Sequence, residues 1–212
     1  MPRGITVTIW ALIPLITFIT YIVLLILTLP SVGRRIHRLF AFFVAVAAYW
    51  SLTSYMLHLS TSPQQTLFWN ELLVGALIWT LIAYYHFIRA YTDKPAGKGV
   101  YLGYILMVAL TVLCLRGYIV QYAHVLNGVL YHSLGTSLYF IGTISLTFIG
   151  AGLVLLIKKY RSSIDPIERN RTMYLIAGWS ILMLLAYSNF IPAVDGLPLD
   201  HIGSLTLSLI HI

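Results

Sequence analysis

The stretch that decides the fold runs from Thr66 to Arg89 and reads TLFWNELLVGALIWTLIAYYHFIR. It holds a single acid, Glu71, ahead of the closing arginine, and its length matches one helical crossing of a bilayer. Aromatic side chains mark both ends, as Phe68-Trp69 and Tyr84-Tyr85, which is typical of the two membrane interfaces. The stretch therefore predicts a membrane-spanning helix, the third in the chain.

The composition places this helix in a polytopic membrane protein. Of the 212 residues, 59% are hydrophobic and 9% are charged, with a mean hydropathy of +0.88. Backbone groups in hydrocarbon need internal hydrogen bonds, so each apolar run is expected to be helical. We predict an all-α, seven-transmembrane-helix bundle that forms one domain over residues 1–212, with helices at about 5–29, 39–60, 66–89, 100–116, 137–157, 172–191 and 201–212.

Two segments of this bundle differ from the rest. The seventh run, residues 201–212, is too short to cross about 30 Å of hydrocarbon as a helix, so we expect helix 7 to be truncated at Ile212. The stretch from Gly117 to Thr136, rich in Tyr, His, Asn and Gly, is predicted to be irregular and to fold back over the helix ends.

The cationic residues predict the orientation. Three follow helix 1, three follow helix 3 and five follow helix 5, whereas only Arg3 and Arg116 lie elsewhere. Because short cytoplasmic loops carry the excess of Lys and Arg, the N-terminus is predicted to lie outside and a completed helix 7 to end in the cytoplasm.

The charge and the cysteine count exclude other classes. The net charge of +7 comes from short loops between apolar runs, so it indicates topology, and no nucleic-acid partner is expected. The single cysteine, Cys114, lies in an apolar run, which rules out an intrachain disulfide and a cysteine metal cluster.

Glu71 is the first candidate functional residue, because a carboxylate inside a span needs a partner, a proton or water. We expect it in the bundle interior, in the outer half, within reach of Arg116 or of polar groups such as Asn189 and Ser204. Two interpretations are open: an ion pair with Arg116 that holds helix 3 against helix 4, or contact with a ligand.

Four histidines fall on the predicted outer side with two acids. Such a set could bind a metal or titrate between about pH 5 and 8. No pair has a convincing ligand spacing, so interface histidines without a ligand role are the alternative, and no metal is assigned. The residues are His58, His124, His132, His201, Asp195 and Asp200.

At this point the chain resembles the N-terminal seven-helix region of bacterial sensor histidine kinases. The residues that carry the resemblance are Phe68-Trp69 at the start of helix 3 and Phe87-Ile88-Arg89-Ala90-Tyr91-Thr92 at its end. Further likeness lies in Arg169-Asn170-Arg171 at the entry to helix 6, in Asn189, and in Leu197-Pro198-Leu199-Asp200-His201-Ile202-Gly203.

The resemblance implies a multi-pass sensor domain without catalytic activity or cofactor in a bacterial plasma membrane. Its expected partners are the lipid bilayer, a small ligand or membrane stimulus, a cytoplasmic kinase or other output domain in the same polypeptide, and a second copy of the chain as a possible homodimer. The candidate ligand or coupling residues are Glu71, Asn70, Arg116, Asn189, Asp195, Asp200 and His201.

A small transporter or a membrane-embedded enzyme is the alternative, and a structural membrane anchor is a third possibility. A transporter would place paired acids, a lysine or a histidine motif at mid-membrane, or broken half-helices in corresponding positions. Predicted helices 2 and 5 hold no charged residue inside. An anchor would need no polar cluster on its outer side.

Overall fold

The computed structural model describes residues 9–126, 129–133 and 135–188. These residues form six helices and one antiparallel hairpin, and they overlap the first six predicted helices. A short 3-10 turn, Leu29–Ser31, follows the first helix. The elements in chain order are α1 Ile9–Thr28, α2 Arg35–His58, α3 Pro63–Tyr91, α4 Gly97–Leu115, β1 Tyr122–Leu126, β2 Val129–Ser133, α5 Ser137–Ser162 and α6 Pro166–Ser188.

Five of the described helices, α1 to α5, are long and apolar enough to cross a membrane. Their exposed surface is rich in large apolar side chains, such as Ile19 on α1 and Ile105 on α4, which suits contact with lipid tails. The helical bundle of a multi-pass membrane protein is therefore confirmed. The predicted seventh run lies outside the described residues.

The central helix is α3, which contacts α2, α4, α5 and β1. It has 29 residues, and six consecutive side chains from Thr80 to Tyr85 are all buried, which happens only where neighbours surround a helix. Ser62 caps its start by accepting a hydrogen bond from the Gln65 backbone N–H at 3.3 Å, with Pro63 as the first helical residue. Ser62 and Pro63 thus fix the start of α3.

The core has two parts on opposite sides of α3. The larger part joins α3 to α1, α2, α5 and α6, and it includes Trp179, which stacks on Tyr84 with ring centroids 3.6 Å apart. The smaller part joins α3 to α4, α5 and the hairpin through residues such as Ile82, Met107 and Ala123. Packing on both sides fixes α3 as the element that the others share.

The segment after α4 corrects the prediction of irregular structure. Residues 122–126 and 129–133 pair as antiparallel strands, with His124 opposite Tyr131 and Ala123 opposite His132. The bundle is helical as expected, but the all-α description is wrong for this segment. The sequence carried a usable signal, because Asn127-Gly128 lies between two runs rich in Val, Leu and Tyr, a strong hairpin pattern.

The bundle has two unlike ends. At the hairpin end, which we define by the hairpin, Ser62 and the first turns of α3, the start of α3 meets the end of α4. At the basic end, defined by Asp93, Lys159 and Glu168, the end of α3 meets the end of α5 and the start of α6. Of the cationic residues in the described part, Arg116 alone follows α4 towards the hairpin end.

Candidate functional site

Asn70 connects α3 to the hairpin. Its side chain is fully buried, and its Oδ1 accepts a hydrogen bond from His132 Nδ1 at 3.2 Å. Its Nδ2 has no hydrogen-bond partner among the described residues. A buried amide that is only partly satisfied costs free energy, so its position is unusual for a purely structural residue.

The hairpin presents different faces to the bundle and to the outside. Strand side chains alternate, so Ala123, which is buried, and its partner His132 share the face towards α3. His124 and Tyr131 share the opposite face, where they are exposed and stack with ring centroids 5.3 Å apart. The structure therefore joins His132, one of the predicted histidines, to the candidate site residue Asn70.

Glu71 follows Asn70 but lies on another side of α3. Its partly buried side chain lines a cavity of about 390 Å³ between α2, α3 and α4. The other lining residues are mostly apolar and include Val46, Gly75 and Ala76. Glu71 therefore lines a cavity, whereas Asn70 contacts the hairpin.

The expected ion pair between Glu71 and Arg116 is not formed. Within the described ranges, ion pairs join only Lys159 to Asp93 and Lys159 to Glu168. Helix α4 ends at Leu115, so the exposed Arg116 stands at the helix terminus, where a long cationic side chain extends to water.

The chain turns away from α4 beside the Glu71 carboxylate. Gly117 has a φ of 72°, and a Cβ placed there would lie 3.6 Å from Glu71 Oε1. The left-handed backbone conformation at this position favours glycine. The carboxylate therefore faces the backbone of the turn rather than the guanidinium that precedes it.

One wall of the cavity is held by a hydrogen-bond chain between α3 and α4. Trp79 Nε1 donates to Thr111 Oγ1 at 2.8 Å, and Thr111 Oγ1 donates to the Met107 carbonyl at 2.8 Å. Both polar groups of the wall are thus satisfied inside the protein. Sequence reasoning missed this pair, because residues 32 positions apart on two helices carry no pattern in the chain.

Two hydrogen bonds join α3 to α6, one at the basic end and one closer to the middle of α3. Thr172 Oγ1 donates to the Glu168 carbonyl, so the Tyr91 hydroxyl is the donor in its 2.8 Å bond to Thr172 Oγ1. Closer to the middle of α3, the hydroxyl of Tyr84 donates to the Leu175 carbonyl at 3.3 Å. These contacts were also missed, since they depend on the packing of α6.

Lys159 joins three segments at the same end. Its Nζ lies 3.0 Å from Asp93 Oδ2 after α3 and 2.8 Å from Glu168 Oε1 in the first turn of α6. The Ser163 hydroxyl donates to the other oxygen of Glu168 at 3.1 Å. The hydrogen bond from Lys159 lowers the pKa of the Glu168 carboxyl below its ordinary value, with a smaller effect from Ser163.

The remaining predicted site residues are those of the candidate metal-binding set and four candidates near the end of the chain. Within residues 9–126, 129–133 and 135–188, no group of three or more His, Cys, Asp or Glu side chains has the arrangement of a metal site. Four candidates lie outside the described residues, namely Asn189, Asp195, Asp200 and His201.

The fold and these contacts define a multi-pass helical membrane protein. The chain belongs to the family of the N-terminal 7TM region of histidine kinase, whose sequence pattern matches residues 13–211. No curated protein matches the chain significantly. Membership confirms the resemblance drawn from the sequence and supports the role of a sensor region, which in histidine kinases is non-catalytic.

Proposed function

We propose that this chain is the signal-input domain of a bacterial sensor histidine kinase. It has seven spans in the plasma membrane, the N-terminus outside, and a seventh helix that continues to a cytoplasmic output domain. A stimulus at the hairpin end changes the relative placement of the helices, and the seventh helix passes this change to the kinase. Family membership supports the sensor role, and the cation distribution supports the orientation.

The observation that carries the proposal is the double attachment of α3. At one end its Asn70 holds the hairpin through His132, and at the other its Tyr91 holds α6 through Thr172. At 1.5 Å per residue, a helix of 29 residues is about 43 Å long. A displacement of the hairpin therefore acts on the same rigid element that positions α6.

The free energy available for signalling follows from the linkage between stimulus binding and a two-state equilibrium of the helices. A stimulus shifts the equilibrium between two helix arrangements only by the difference in its affinity for them. The hairpin contacts α3 through the hydrogen bond from His132 to Asn70 and through buried Ala123, so a stimulus that binds the hairpin can favour one helix arrangement over the other. For such a signal to reach the output domain, the helices at the basic end need only two alternative packing arrangements.

The first test concerns topology and the output domain. Cysteine labelling in intact cells should place residues 34–38, 94–98 and 158–171 in the cytoplasm, protected from impermeant reagents. The sequence encoded after Ile212 should contain a phospho-accepting and kinase unit. Labelling of these loops from outside would contradict the orientation, and a stop codon soon after the seventh run would contradict the sensor kinase.

The second test measures signalling. In the full polypeptide in proteoliposomes, His132→Phe should change the basal autophosphorylation rate, because it removes the hydrogen bond to Asn70. His124→Phe is the matched control, since it alters the exposed face of the same hairpin and should leave the rate unchanged. Equal rates in wild type and both variants would refute a role of the hairpin in signal input.

The chain itself is proposed to have no catalytic activity. It carries no nucleotide-binding loop in its sequence, and a helical sensor region needs none. Purified residues 1–212 should neither hydrolyse ATP nor transfer phosphate when kinase domains are absent. Turnover by this protein alone would favour the membrane-enzyme alternative.

A further inference from the structure

The cavity between α2, α3 and α4 has the shape of a groove along one side of α3. Glu71, Leu72, Gly75, Ala76 and Trp79 lie on one helical face, since they are spaced by about one turn. The distance along the axis from Glu71 to Trp79 is about 12 Å. Exposed lining residues on α2 and α4, Tyr49 and Leu115, place the groove at the lipid-facing surface.

The groove is apolar except at its hairpin end. Of its other polar groups, Thr111 is already hydrogen-bonded to Trp79 and Met107. Side chains such as Ala45 and Val46 from α2 complete an apolar wall. The groove therefore offers a place for a hydrocarbon chain, with one strongly polar group at the end nearer the membrane surface.

That polar group is the Glu71 carboxylate, which has neither a hydrogen bond nor an ion pair to any described residue. A carboxylate at this depth in a bilayer is costly unless it is paired or protonated. Arg116, which follows α4 at the same end of the bundle, is exposed and not paired with it. A cationic partner from outside the described part of the protein would therefore stabilise the Glu71 carboxylate.

We propose that the groove binds a single-chain cationic amphiphile, with its protonated amine at Glu71 and its hydrocarbon tail along Gly75 towards Trp79. The inference rests on the proposed sensor function, since it names the class of stimulus. Such a molecule partitions into the bilayer, reaches the groove laterally, and pairs its ammonium with the carboxylate in a medium of low dielectric constant.

The charge selects this occupant over other membrane molecules. The tail of a neutral lipid fills the apolar wall but leaves the carboxylate unpaired. An anionic fatty acid brings a second negative charge beside Glu71, which repels it. A cationic amphiphile pairs its ammonium group with Glu71 and at the same time fills the apolar wall with its tail.

The test is photolabelling of the full polypeptide in nanodiscs with two probes of equal length, a diazirine-bearing dodecylamine and the corresponding dodecanol. The amine should label peptides of α2, α3 and α4 at least about tenfold more strongly than the alcohol, because losing one partner of a buried charge pair lowers affinity by more than this factor. Glu71→Gln should remove this preference while leaving labelling by the alcohol unchanged.

A steric variant gives an independent check. A Cβ at Gly75 meets no other atom within 4 Å, so Gly75→Leu projects into the groove without a clash at that atom. It should block labelling by both probes. Gly150→Leu on α5 is the matched control, because a Cβ at that exposed glycine also meets nothing within 4 Å, and labelling should persist.

The outcomes separate the site from the sensor function. Equal labelling by both probes that Glu71→Gln does not change would mean that the groove holds a bilayer lipid chain only, and this would overturn the proposal. Absence of labelling in these helices would overturn it as well. If the amine binds but the kinase activity of the full polypeptide does not respond, the site stands and its role as the stimulus site fails.

Discussion

The two ends of the bundle are built from different interactions. At the hairpin end, His132 of the hairpin donates a hydrogen bond to Asn70 of α3, and Glu71 faces a groove. At the basic end, Lys159 joins three segments and Tyr91 joins α3 to α6. The hairpin end is therefore suited to bind and release a ligand, and the basic end is suited to hold α3, α5 and α6 in fixed relative positions.

Changes in the basic half of the bundle should lower the stability of the whole bundle, because they remove packing and polar contacts that several helices share. Changes at the hairpin end should alter local opening and ligand binding with a smaller effect on global unfolding. Four experiments test this contrast.

The largest expected effect is at Trp179, which is fully buried against Tyr84. Trp179→Ala removes the stacked ring and leaves a cavity between α3 and α6, with an expected loss of about 3–5 kcal/mol in the free energy of unfolding. Thermal unfolding in detergent would measure it. Tyr174→Ala, at an exposed position of the same helix, is the control and should cost far less. Equal losses would show that α6 is not fastened through this contact.

The next effect is at Asn70. Asn70→Leu keeps a branched side chain with the same number of heavy atoms but removes the acceptor for His132. The expected cost is about 1–3 kcal/mol in the free energy of local opening of the hairpin. Amide hydrogen exchange of β1 and β2 should become faster, whereas exchange in α6 should stay as in the wild type. Faster exchange that spreads equally through α6 would contradict the separation of the two ends.

Much of the bundle was predictable because bilayer physics acts on each helix separately. Apolar length alone identifies α1 to α5, the Ser62-Pro63 pair marks the start of α3, and Pro166 marks the start of α6. These signals are local in the sequence, so no knowledge of the tertiary structure is needed to interpret them.

The site was less predictable, because it depends on which helix faces meet. Glu71 and Arg116 looked like partners from their charges, yet the end of α4 directs Arg116 towards water. Lys159 looked like one of several topology-setting cations, yet it forms both ion pairs of the described residues. The hairpin was missed because the Asn127-Gly128 signal was outweighed by the expectation of an all-helical chain.

A smaller effect is expected for the hydrogen bond between Tyr91 and Thr172. Interhelical hydrogen bonds in membrane proteins contribute about 0.6 kcal/mol on average. A double-mutant cycle with Tyr91→Phe and Thr172→Val should give a coupling free energy of about this size from unfolding measurements. Strictly additive losses would show that the two hydroxyls contribute nothing to the contact between α3 and α6.

The smallest effect concerns the carboxyl of Glu168, which is half-exposed and pairs with Lys159 at 2.8 Å. The hydrogen bond from Lys159 lowers the pKa of Glu168 in the folded chain below its ordinary value of about 4.3. The folded state therefore binds fewer protons than the unfolded state in this range. The contribution of the pair to stability is fully present above the ordinary pKa, and it is lost as the pH falls through the lowered value.

As the pH falls from about 6 to about 3, the unfolding temperature of the wild type should thus fall more steeply than that of Lys159→Met. Lys158→Met is the control and should behave as the wild type. Parallel curves for all three proteins would show that the contact does not stabilise the basic end.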